Sequence, residues 1–123
     1  MGAVLVRVGG VELRVPTGRV REVAVVGAVT PVPSAPARVL GLMQLRGQIL
    51  PLAHLGAGRP PARPGDALLV LEEGGVRIGL VVDEVLGVSD DLAGEFDVAA
   101  FFDGLADELQ QAALGALGTR SGA

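Results

Sequence analysis

The chain has 123 residues, half of them apolar but only 2% aromatic, and it contains no cysteine. That length suits one domain, whose core has to be assembled from Val, Leu, Ile and Ala. The missing cysteines exclude disulfides, zinc–thiolate centres and thiol nucleophiles. The net charge of −4 conceals an asymmetry: residues 1–65 hold eight Arg and two acids, whereas residues 66–123 hold two Arg and twelve acids. Two halves of opposite sign complement each other inside one fold, or present two surfaces to two partners. The Arg-rich half has no aromatic residue for base stacking and no basic cluster, so no nucleic-acid role is read. MGAVLVRVGG lacks the apolar stretch of a signal peptide, and no run approaches the ~18 apolar residues of a membrane span. A cytoplasmic protein with no direct membrane insertion is expected.

In chain order, Val4 to Val8 reads as a strand, Gly9-Gly10 as a tight turn and Val11 to Val15 as the returning strand, with Val11, Leu13 and Val15 on one face. Pro16-Thr17-Gly18 interrupts the pattern, and Val20 to Val26 resumes it. TPVPSAP (30–36) has neither helix nor sheet potential. Val39 to Leu45 and Gln48 to Leu55 form a second hairpin around Arg46-Gly47, where Gly47 supplies the positive φ that two-residue turns need. Pro51, inside the returning strand, predicts an edge position or a bulge. After the connector GAGRPPARPGD (56–66), Ala67 to Glu72 and Val76 to Val82 form a third hairpin about Glu73-Gly74-Gly75. Its arms are almost continuously apolar, as in strands buried on both faces. SDDLAGEF links to a helix over about 97–117, in which Val98, Phe101, Phe102, Leu105, Leu109, Ala112 and Ala116 recur at helical spacing behind an Asp97 cap. Residues 118–123 read as a frayed tail, and 1–117 as one domain.

Several of these segments together resemble a known family. VPTGRVREV (15–23), TPVPSAP with VLGLMQLRGQILPLAHL (39–55), LLVLEEGGVRIGLVVDEVLGV (68–88) and DVAAFF (97–102) are similar, in order, to the motifs of the CheW-like domain. The resemblance implies a mainly β fold of two small interlocked five-stranded barrels with a C-terminal helix. It also implies a non-catalytic adaptor that couples the signalling tip of methyl-accepting chemoreceptors to the regulatory domain of a CheA-type histidine kinase, at membrane-associated receptor arrays. Two departures stand out: Gln44 replaces the usual Asn before Leu-Arg-Gly, and His54 the usual Asp. Only Ser89 to Phe96 fill a stretch that normally spans a few tens of residues. The second barrel is therefore expected to lack a strand pair, leaving a sheet edge for self-association. Such a member could also serve as a decoy, an inhibitor or a homodimerising regulatory subunit.

The resemblance places the protein-interaction residues at Val20, Glu22, Gln44, Arg46 and Gly47. Arg46 suits the task physically, because its planar fork pairs bidentately with a carboxylate while its stem covers apolar surface. Val23, Val25 and Leu45 are read as core, and Leu42, Leu45, Ile49 and Leu52 as the residues that build the barrel beneath Arg46. His54 reads as a strand-end residue satisfied by nearby backbone. Asp83 and Glu84, adjacent on a strand, point to opposite faces and cannot flank a substrate together. Gly56-Ala57-Gly58-Arg59 lacks the ending and the following helix of a phosphate loop. No catalytic residue, metal site or cofactor is assigned.

Overall fold

The computed structural model describes residues 2–33, 35–36, 38–55, 62–90 and 97–107. Three hairpins carry the architecture. Strands β1 (Ala3–Val8) and β2 (Val11–Pro16) turn at Gly9-Gly10, β4 (Val39–Leu45) and β5 (Gln48–Ala53) at Arg46-Gly47, and β6 (Ala67–Glu73) and β7 (Val76–Val82) at Gly74-Gly75. In each turn both central residues have positive φ, the conformation whose twist matches the flanking strands. Strand β3 (Val20–Val25) stands alone after a single 3₁₀ turn at Thr17–Arg19, and β8 (Glu84–Ser89) follows β7 at the Asp83 corner.

These strands form two sheets, one of three strands in the order β2-β1-β8 and one of five in the order β3-β6-β7-β5-β4. Among the described residues the expected pair of five-stranded barrels is thus represented by one sheet of five strands and one of three. The shortfall lies in the sheet that gathers strands from both ends of the β region. The larger sheet curls until the chain leaving β3 meets β4, where Thr30 and Leu42 exchange both backbone hydrogen bonds at 2.8 Å. Its inner face encloses Val26, Met43, Leu50, Leu52, Leu68, Val70 and Val81. Its outer face packs Leu69, Leu71, Ile78, Leu80 and Val82 against Val4, Val6, Val8 and Val15 of the smaller sheet. The third hairpin is therefore buried on both faces, as its unbroken apolar arms predict. Each fully buried Leu contributes about 1.5–3 kcal/mol.

The helix, α1 (residues 98–107), seals the outer core with Val98, Phe101, Phe102 and Leu105. Asp97 caps it as expected, its Oδ1 accepting the Ala100 N–H at 3.0 Å. Leu109, Ala112 and Ala116 lie outside the described residues, as does the Gly-rich segment at 56–59. At the corner between the sheets, the Asp83 carboxylate accepts the Gly9 N–H at 2.7 Å, and Glu84 pairs with Arg7 at 2.7 Å. His54 is buried, its backbone N–H donating to the Arg38 carbonyl and its Nδ1 lying 3.3 Å from the Leu55 carbonyl.

Of the two expectations for Pro51, the edge position does not hold, because β5 is an interior strand between β7 and β4. A register shift does fall beside it, between Val39 and Gly41 opposite Ala53 and Leu52. Leu42, opposite Pro51, uses its N–H and C=O on Thr30, so the Leu42–Pro51 pair carries no hydrogen bond. The missing N–H of Pro51 points toward β7, whose parallel pairing with β5 begins only at Leu52. An interior proline is tolerated there.

Candidate protein-interaction site

The seam where the five-stranded sheet meets itself is the most chemically distinctive part of the surface. Gly41 makes the seam possible: a β-carbon there would stand 2.6 Å from Val29 Cγ1 and 2.7 Å from the Thr30 carbonyl oxygen. Beyond the Thr30–Leu42 bridge, β3 and β4 share no backbone pairing. A side-chain pair spans the gap instead. Arg46 Nη1 donates to Glu22 Oε1 at 2.7 Å and Nη2 to Oε2 at 2.6 Å, a bidentate fork across 24 residues of sequence. Glu22 is 25% exposed and Arg46 75%, so the pair is open to solvent on one side.

Arg46 has φ 51° and is the single non-glycine residue with positive φ among the described residues. Gly9 and Gly74 hold the equivalent turn positions in the other two hairpins. A β-carbon in that conformation costs about 1 kcal/mol. The turn therefore accepts strain to carry a charged fork where glycine would fit better.

Behind the pair, a cleft of about 600 Å³ opens between the two hairpin tips. Its floor is Leu45, Leu50 and Val70, and its rim holds Glu22, Arg46, Gln48, Ile49, Glu72 and Arg77. Arg77 Nε donates to Glu72 Oε1 at 3.1 Å and its Nη1 to Gln48 Oε1 at 3.3 Å, while Arg21 lies 3.5 Å from the same Glu72 carboxylate. Arg19 pairs with Glu73 at 2.6 Å. Formal charges alternate across β3, β6 and β7, which holds these side chains in register without a large field of one sign.

The sequence-derived site residues divide on this geometry. Glu22, Arg46 and Gly47 come together at the seam, with Arg46 engaged by its own chain's carboxylate. Gln44 is exposed nearby and borders a shallow depression with Ala28, Thr30, Leu42 and Ile49. Val20 parts from them. A bulge between Val20 and Glu22 turns Val20 onto the outer core, opposite the face that Glu22 occupies.

Two residues read as core, Val23 and Val25, and one read as building the barrel, Ile49, are at the surface: they are 51%, 63% and 66% exposed. In β3 and in the second hairpin both faces carry apolar residues, so alternation alone does not choose between them. The inward set is Glu22 and Ala24 in β3 with Val26 just past its end, and Met43, Leu45, Leu50 and Leu52 in the hairpin. Leu42 lies on the outward side, half-buried, while Leu45 and Leu52 face inward as read. Sequence reasoning misses Glu72 and Arg77. Counting outward from Gly74-Gly75 places them directly opposite each other, and that is the available signal.

Comparison with known proteins agrees with this architecture. The model of the CheW-like domain matches residues 2–100. The chain is similar to chemotaxis protein CheW of Rhizobium meliloti (strain 1021), 37% identical over 105 residues, which cover 79% of this chain and 68% of that protein. It is also 37% identical over 86 residues to protein FrzA of Myxococcus xanthus, covering 67% of this chain and 54% of FrzA. The crystal structure of scaffolding protein TtCheW from Thermoanaerobacter tengcongensis matches with a TM-score of 0.64 at 26% identity, covering 72% of this chain and 64% of that one. The chain thus spans roughly half to two thirds of these relatives. With the family model matching nearly all of the described β region, and with the fold shared, the chain belongs to the CheW-like domain family.

Proposed function

We propose that this protein is a non-catalytic adaptor of chemotaxis or a related motility pathway, which couples the signalling tip of chemoreceptors to the regulatory domain of a CheA-type histidine kinase. The observation that carries the reading is the composition of the seam surface: a half-open bidentate Arg46–Glu22 pair with exposed Ile49 on the rim of the same cleft, and exposed Val23 and Val25 on the outward face of β3. Isolated surface valines are ordinary, but apolar side chains around an Arg fork are the mixture found at the centre of protein interfaces. A guanidinium carries five N–H donors, so Arg46, 75% exposed, retains donors beyond the two that Glu22 engages for a partner's carboxylate. The mechanism is association alone. Weak contacts gain strength by assembly into an array, and receptor state is passed on as a change in favoured kinase geometry.

No helix among the described residues is long and apolar enough to cross a membrane. The adaptor would act in the cytoplasm, drawn to receptor arrays through its partners. Among the described residues no group of His, Cys, Asp or Glu is placed to hold a metal ion, and nothing in the proposed mechanism calls for a cofactor. A second reading draws on the smaller sheet, whose outer strands β2 and β8 pair with no further strand among the described residues and whose Val88 is 73% exposed. A member that has lost one interface there would act as a decoy or inhibitor, or would homodimerise through that edge.

The test is a titration of the intact protein against both partner domains, with Arg46→Glu as the control variant. Binding to both, weakened at least tenfold by the reversal, is expected. Binding to one partner favours the decoy reading, and binding to neither overturns the adaptor assignment.

A further inference from the structure

The five-stranded sheet is held unevenly. β6 and β7 are paired along their whole length and covered on both faces. Among the described residues, the seam between β4 and the β3 segment with the chain that follows it has one backbone bridge, Thr30–Leu42, and one exposed side-chain pair. Val26 donates to the Asp66 carbonyl, and the two-residue repeat of a strand then turns Val23 and Val25 N–H and C=O away from β6, toward the seam. They find no strand partner among the described residues.

We infer that this seam opens as a local unit, ahead of the rest of the sheet, and that the Arg46–Glu22 pair is the latch that sets how often it does so. Two opposing terms of similar size meet at Arg46. The pair closes the gap, but it is solvent-exposed and correspondingly weak. The left-handed turn that presents the guanidinium is one that arginine, unlike glycine, adopts only under strain. A latch so nearly balanced opens often, and it leads to the cleft floored by Leu50 and Val70 of the inner core. A partner carboxylate that draws Arg46 off Glu22 would open the seam on binding, a consequence that rests on the adaptor reading. The latch itself does not.

Hydrogen exchange of the free protein tests it, read at the Thr30 and Leu42 amides, which cross the seam, and at Leu69 and Leu80 amides in the buried strands. Glu22→Gln should speed exchange at Thr30 and Leu42 roughly three- to tenfold and leave Leu69 and Leu80 unchanged. Arg46→Gly should have a smaller effect than Arg46→Ala, because glycine relieves the turn while alanine keeps its strain. Ala28 and Gln44 lie two residues beyond the bridge on either side of the seam and border one depression. With no native cysteine in the chain, an Ala28→Cys/Gln44→Cys disulfide offers a clean lock. Oxidation should restore slow exchange in the Glu22→Gln background, and reduction should abolish that rescue. Uniform acceleration at all four amides, no acceleration at the seam, or an oxidised lock without effect would each overturn the latch.

Discussion

The second and third hairpins share a turn conformation and diverge in everything else. β6–β7 turns on two glycines, and seven consecutive ladder pairs join its arms. β4–β5 turns on Arg46-Gly47, exposes Ile49 and half-buries Leu42 on its outward face, and meets the β3 side of the seam, among the described residues, by one bridge at Thr30 and one ion pair at Glu22. The β6–β7 hairpin is what a stable sheet needs. The β4–β5 hairpin sets aside local stability for a charged tip and an apolar outer face, a pattern expected where structure has yielded to recognition.

The contrast is sharpest in the core. Leu80, fully buried under the outer core, should cost about 3 kcal/mol when cut to alanine, seen as a lower urea midpoint with unchanged slope. Gly41→Ala follows at about 2 kcal/mol, since the added methyl meets Val29 and the Thr30 carbonyl and φ is +146°. Its effect should concentrate at the seam, visible as fast exchange at Thr30 and Leu42. Ile49→Ser should change stability by less than about 0.5 kcal/mol, because the side chain is 66% exposed, yet weaken partner binding severalfold. Arg46→Gly should be nearly neutral for stability, within about 0.5 kcal/mol, the lost pair offset by the relieved turn. A loss above about 2 kcal/mol there would mean that Arg46 is a structural residue.

Much of this architecture is legible in the sequence. The three turns, the doubly buried arms of β6 and β7, the Asp97 cap and the stripe Val98, Phe101, Phe102 and Leu105 all follow from local pattern. The family motifs bring Arg46 and Glu22 forward, but not the fact that they pair, because the contact crosses a seam that no local rule encodes. The inward face of β3 is misjudged at Val23 and Val25 because both faces are apolar and a bulge at Val20–Glu22 resets the alternation. Ile49 is misplaced for a related reason: Leu42 and Leu45, or Ile49 and Leu52, differ by an odd number of residues and cannot share a face of one strand.

The most direct test of Arg46 as a partner contact is the charge swap Glu22→Arg/Arg46→Glu, compared with Arg46→Glu alone in titrations against the receptor tip and the kinase regulatory domain. The swap restores an ion pair across the seam while reversing the charge shown to the partner. With Arg46 as the contact, the swap should recover slow exchange at Thr30 and Leu42 but leave binding as weak as in the single variant. Full recovery of binding would contradict that role, reducing the pair to a staple of the fold.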